Sequence, residues 1–171
     1  MKSRYNLLLL FFLFSVTYFS CKKEPGCIDV NSLTFNPDAQ VDDGSCVFAF
    51  DLAQGTWNIE PECDEINILG QSISLDDQLP ESIVVQGQGT NTLFIDIDNT
   101  ILEGVIDYQG FVTVQNQTIS IDFGLGVPTD VQVSGNGEIL LNNTGSMDLT
   151  YSFEIPFIGG QSVNCSIELN K

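Results

Sequence analysis

From about Asp51 to the C-terminus the chain alternates apolar and polar residues with a period of two, and no ten-residue window carries helical spacing. Trp57, Ile59 and Cys63 share one phase, against Asn58, Glu60 and Glu62. Ile119, Ile121 and Phe123 oppose Thr118, Ser120 and Asp122. Met147, Leu149, Tyr151, Phe153 and Ile155 alternate with Asp148, Thr150, Ser152 and Glu154. Val163, Cys165, Ile167 and Leu169 alternate with Asn164, Ser166 and Glu168. One buried face and one wet face is the signature of antiparallel sheet. Further strands are expected at 82–86, 91–98, 101–108, 111–115, 131–134 and 138–142. Gly135-Asn136-Gly137 and the stretch 142–145 offer positive-φ residues between alternating runs and are predicted as hairpin turns.

About eight to ten short strands joined by short turns predict an all-β, antiparallel up-and-down meander, which protects its edges by closing into a barrel. The cysteines agree with closure. Cys63 ends the first strand and Cys165 lies in the last, both on the apolar phase. Those two strands are neighbours in a closed meander, so a buried Cys63–Cys165 bridge is expected.

The N-terminal stretch reads differently. Lys2 and Arg4 precede an unbroken apolar run from Leu7 to Phe14, too short to span a bilayer and suited to an export signal over residues 1–20. Ser20-Cys21 then resembles the lipobox of bacterial lipoproteins, which implies acylation of Cys21 and a stable lipid anchor on the outer membrane, in either leaflet. The competing reading is an ordinary cleaved signal with an unrelated cysteine beside it. Five cysteines divide into one acylated and four that can pair. Residues 21–26 form a tether.

Charge narrows the chemistry. Loss of Lys2 and Arg4 with the signal takes the net charge from −18 to −20, which excludes nucleic acid as a partner. Between Glu24 and Asn170 there is no lysine, arginine or histidine. An imidazole base, a Schiff-base amine and a guanidinium clamp are therefore all missing from that stretch. Carboxylates could act in pairs across a cleft, but Glu60, Asp122, Asp148, Glu154 and Glu168 fall on the outward phase. Asp96 and Asp98 share a face opposite Leu93, Ile95 and Ile97. The expectation is that the chain is not an enzyme.

Residues 27–46 form a compact acidic unit. Its Gly26-Cys27-Ile28-Asp29, Asn36-Pro37-Asp38-Ala39 and Asp42-Asp43-Gly44-Ser45-Cys46 resemble a cysteine-flanked acidic module of Bacteroidetes surface proteins. Cys27 and Cys46 are expected to close it. Asp29, Asn31, Asn36, Asp38, Asp42 and Asp43 could converge oxygens on calcium, the one cofactor this chain suggests, although none is required. Alternatively these residues form Asx turns that hold an irregular loop together.

Residues 51–171, with Gly55-Thr56-Trp57 at the first strand, the segment 133–137, the strand around Met147 to Phe153 and the late Cys165, resemble the lipocalin-like domains of bacterial lipoproteins. The resemblance implies a barrel with Trp57 plugging one end. Such domains commonly set an arginine against that tryptophan, and no arginine follows Arg4 here. Two functions are then expected. One is binding of a small apolar ligand through inward Trp57, Ile121, Tyr151 and Phe153. The other is a structural or adhesive envelope protein with a calcium-stiffened module, a packed core and an envelope partner.

Overall fold

Eight antiparallel strands close on themselves in this computed structural model, which describes residues 23–68, 71–76, 79–121, 129–155 and 159–171. The signal segment, Cys21, Lys22, Asp122 and Phe123 lie outside the described residues. In chain order the elements are helix α1 (Ala49–Ala53) and strands β1 (Gly55–Cys63), β2 (Ile66–Ile68), β3 (Gln71–Ile73), β4 (Ser82–Gln88) and β5 (Thr92–Ile97), then β6 (Thr100–Ile106), β7 (Phe111–Ile121), β8 (Thr129–Ile139), β9 (Thr144–Ile155) and β10 (Gly159–Asn170). Strands β4 to β10 follow one another round the barrel as a meander, and β2 and β3 form a separate hairpin. The expected all-β, up-and-down barrel of lipocalin-like form is what the chain adopts.

Strand β1 closes the circle by serving two neighbours. Its first half pairs with β4, from Gly55 opposite Val85 to Asn58 opposite Ser82. Its second half pairs with β10, from Asn58 opposite Asn170 to Cys63 opposite Cys165. That register places the two sulfurs in a disulfide, with a sequence separation of 102. A second disulfide joins Cys27 and Cys46 across the N-terminal module, with a separation of 19.

The interior collects the apolar phase of every strand, with Trp57, Leu102, Val131 and Val133 at zero exposure. The outward phase is mostly polar, with Val84, Ile101 and Val105 as exposed exceptions on β4 and β6, the reverse of the continuous apolar band outside a membrane-spanning barrel. The barrel's two ends differ. One carries α1, the turns after β4, β6 and β8, and the C-terminus; we call it the α1 end. The β2–β3 hairpin stands at the other, where it contributes Ile66 to the same apolar cluster as the barrel, and the segment leading back from it to β4 adds Leu75.

Three expectations need correction. Gly135-Asn136-Gly137 is not a turn, since β8 runs straight through it, pairing with β7 on one side and β9 on the other. The two glycines are there for close approach. A Cβ at Gly135 would overlap the Asp148 carbonyl oxygen and the Leu149 side chain, and one at Gly137 would sit 2.6 Å from the Ser146 carbonyl oxygen. The runs at 111–115 and around Ile119 belong to one strand, β7, whose pairing with β8 shifts register between Val114 and Gln117. Here the Gln117 side chain substitutes for missing ladder bonds to β6. Its Nε2 donates to the Glu103 carbonyl at 2.8 Å and its Oε1 accepts from the Glu103 N–H at 3.0 Å. Finally, α1 and the β2–β3 hairpin were not expected. Five and three residues are too few to show a period.

The register predicts unequal roles for the bridges. Replacing Cys63 and Cys165 together by alanine is expected to cost about 4–5 kcal/mol in the chain-entropy model, and replacing Cys27 and Cys46 about 3 kcal/mol. Denaturant titration with tryptophan fluorescence measures both, and equal losses would contradict the assignment.

Candidate functional site

The α1 end is sealed by a small polar network around the single tryptophan. A five-residue helix is unstable by itself, and α1 has no side-chain N-cap. Packing holds it instead. Ala49 and Ala53 are buried against the barrel, and the Gln54 side chain ties it to β4. Gln54 Nε2 donates to the Phe50 carbonyl at 3.1 Å, and its Oε1 accepts the Gly87 N–H at 3.2 Å. Fixed in this way, the Ala53 carbonyl accepts the Trp57 Nε1–H at 2.7 Å.

Lys171 completes the seal. Its Nζ lies 4.5 Å from the centroid of the Trp57 ring and donates to the Leu52 and Gln54 carbonyls, each at 2.6 Å. Its own N–H reaches the Asn143 carbonyl at 3.1 Å. The one cation after Lys23 is thus placed on the face of the single tryptophan. Partial burial pulls the Lys171 ammonium below its ordinary value, against the contrary pull of the two carbonyls and the ring. The sequence pattern does not single out Lys171 as a partner of Trp57. The available signal is its isolation as the one cation after Lys23, directly after the strand that pairs with β1.

The predicted ligand-lining residues are spread along the barrel. Trp57 stands near the start of β1 at the α1 end. Tyr151 and Phe153 lie on β9 beyond the level of the Cys63–Cys165 bridge, where Tyr151 is paired with Val133 and Val163. Ile121 ends β7 opposite Thr129, and its side chain lies outside the described residues. Tyr151 is 2% exposed, and its hydroxyl is buried without a hydrogen-bond partner among the described residues. Burial pushes its pKa up to about 12. At this end Asp76 secures the return from β3. Its Oδ1 accepts the Cys63 N–H at 2.7 Å, and its Oδ2 accepts the Ser74 hydroxyl at 2.8 Å.

In the N-terminal module the acidic and amide side chains bend the backbone. Asp29, Asn36, Asp42 and Asp43 each accept, through Oδ1, the N–H two residues on, at 2.9–3.0 Å. Asn31 supplies the N–H received by Asp29, and Asp38 the one received by Asn36. The Ser45 hydroxyl, then its amide, holds the Asp43 carboxyl below its ordinary value. No group of three or more acidic, cysteine or histidine side chains that could hold a metal occurs among the described residues. Two residues missed in the sequence, Ser32 and Thr34, organise the loop. The Ser32 hydroxyl donates to the Val47 carbonyl at 2.9 Å, and the Thr34 hydroxyl donates to the Ser45 carbonyl at 2.7 Å.

Among the described residues no helix is long and apolar enough to cross a membrane. No family model, curated protein or solved structure matches the chain.

The seal predicts that Lys171→Met lowers stability by about 1–2 kcal/mol, because two carbonyls and the ring lose their cation. Lys171→Arg is expected to recover most of that loss. Thermal melts of the three proteins provide the check.

Proposed function

We propose that the chain is a lipid-anchored, non-catalytic protein of the outer membrane whose barrel takes a small, uncharged, largely apolar molecule at the end away from α1. One observation carries this reading: the buried Tyr151 hydroxyl with no partner among the described residues. A buried hydroxyl left unpaired costs about 1–3 kcal/mol, and such groups are rare enough in folded proteins to need a reason. A ligand hydroxyl or carbonyl meeting Tyr151 Oη supplies one. The rest of the surroundings, Val133, Val163 and Phe153, suit an apolar body. An anionic ligand is disfavoured because a chain of net charge −18 with its few cations at its termini repels it.

A second reading has its own support. Trp57, Leu102, Val131 and Val133 have no surface that a water-sized sphere can reach, so the barrel around them is filled by its own side chains. If that filling extends to Tyr151, the protein is a scaffold for an envelope partner and holds nothing inside.

Native mass spectrometry of the acylated protein, with dodecanol as probe, separates the two. Ligand binding predicts a bound alcohol whose affinity falls about fivefold in Tyr151→Phe, the equivalent of about one hydrogen bond. The filled scaffold predicts no adduct in either protein and a more stable Tyr151→Phe.

Tyr151 also predicts an alkaline limit. Its folded-state pKa of about 12 exceeds the ordinary tyrosine value, so the folded state holds the proton more tightly than the unfolded chain. The stability this contributes is complete below about pH 10 and is lost as pH rises towards 12, by about 2–3 kcal/mol. Denaturant midpoints across pH 9–12 should show this fall in the parent and a smaller one in Tyr151→Phe.

A further inference from the structure

We infer that the α1 end, with the module beside it, rests directly on a zwitterionic lipid surface, an inference that depends on the reading of Cys21 as the acylated residue. Most of the large apolar side chains that the described residues leave exposed lie at this end or on the module. Tyr108 and Phe111 flank the turn after β6 and are 57% and 50% exposed, and Leu140 and Leu141 in the turn after β8 are 43% and 49% exposed. A hydrogen bond from the Ile139 N–H to the Gly110 carbonyl, 2.9 Å, joins these two turns into one rim. The module adds Val30, at 65%, and Phe35, at 40%. An open depression of about 560 Å³, lined by Asn31 and Phe48 on one side and by Asn91, Asp107 and Tyr108 on the other, lies between module and barrel turns.

The short chain preceding the module decides what covers this surface. The Glu24 carbonyl already accepts N–H groups of Gln40 and Val41, and Cys27 is bridged to Phe35, so the backbone is held from Glu24 onward. Cys21 lies three residues upstream and can be at most about 10 Å away. The headgroup layer on one side of a bilayer is only about 5–8 Å deep. Acyl chains on Cys21 therefore bring the module against the headgroups, and exposed aromatic and aliphatic side chains gain from entering that layer. Asp107 and Glu138, the latter directly opposite Phe111, make anionic lipid a poor match and neutral or zwitterionic lipid the better one. The Tyr151 end then points away from the membrane.

The test uses the full acylated chain in phosphatidylcholine vesicles with brominated acyl chains. Tyr108→Trp places a reporter on the rim, and Ile101→Trp places one at the opposite end, both at exposed positions, with the parent measured for the Trp57 background. The expected result is that the protein floats with the vesicles, Tyr108→Trp loses emission, and Ile101→Trp keeps it. A protein that floats with both reporters unquenched, or both quenched equally, overturns the inference and leaves the rim free for a macromolecular partner. A protein that does not float overturns the anchor reading, and this inference with it.

Discussion

Strand β1 is the constraint on which the rest of the structure depends, because it alone has to satisfy two edges. A meander of seven strands, β4 to β10, ends in two open edges, and each would present unpaired N–H and C=O groups to other chains. The first half of β1 covers one and the second half covers the other. The strand must therefore be placed before the ring can close, although β4 and β10 lie far apart in sequence. The Cys63–Cys165 disulfide acts at this junction, at the far end of the β1–β10 ladder. The seal at the α1 end acts at the other end of the same strand, on Trp57. Both long-range fastenings of the barrel thus bear on the strand that closes it.

The scarcity of cations shapes what those fastenings are made of. A carboxylate usually finds lysine or arginine; here the donors are mostly backbone N–H groups and hydroxyls. Asp29, Asp42 and Asp43 receive them in the module, Asp96 and Asp107 receive them in barrel turns, and Asp76 receives one from β1. Such bonds are local or semi-local, and they stabilise turns at the places where a meander must reverse. Lys171, with acidic residues throughout the chain, is spent instead on two carbonyls and a ring. A charge directed at backbone and an aromatic face does not need a buried counter-ion, so the core stays free of ionic groups at that end.

The period-two alternation made the barrel legible, since it reports directly which side chains face inward. It located most of the strand sequence and made the partnership of Cys63 with Cys165 foreseeable, because both follow from alternation plus closure. It failed where glycine has two meanings. Gly135 and Gly137 carry the composition of a turn, but they serve to let β9 approach β8 closely, and nothing local separates those uses. It also failed for α1, whose stability comes from burial of Ala49 and Ala53 rather than from propensity. At the site, Trp57 as an end plug came from the resemblance to lipocalin-like domains rather than from the alternation. Lys171 as its companion was not readable, because it lies beyond the last strand, where alternation says nothing about which way a side chain turns. The solitary Tyr151 hydroxyl was likewise invisible, since an unpaired group is defined by what its neighbours lack.

The two ends of the barrel therefore differ in how they are held. At the α1 end, opening requires the simultaneous loss of the Trp57–Ala53 bond, the Gln54 bridge, and three contacts of the Lys171 side chain. At the other end, among the described residues, Ile66 and Leu75 join the apolar cluster, Asp76 accepts the Cys63 N–H, and Asp64 donates its N–H to the Asn164 carbonyl and accepts from the Asn164 side-chain amide. Local openings follow the density of such contacts, and regions with few of them open at lower free energy. The Cys63–Cys165 bridge marks the boundary, since it fixes the base of the β2–β3 excursion to the barrel wall while leaving the excursion itself outside the ladder. Tyr151 lies just past that boundary, on the side away from the Trp57 seal. The described contacts beyond the bridge are thus apolar packing together with the bonds of Asp76 and Asp64, whereas those at the α1 end centre on Trp57 and the helix beside it.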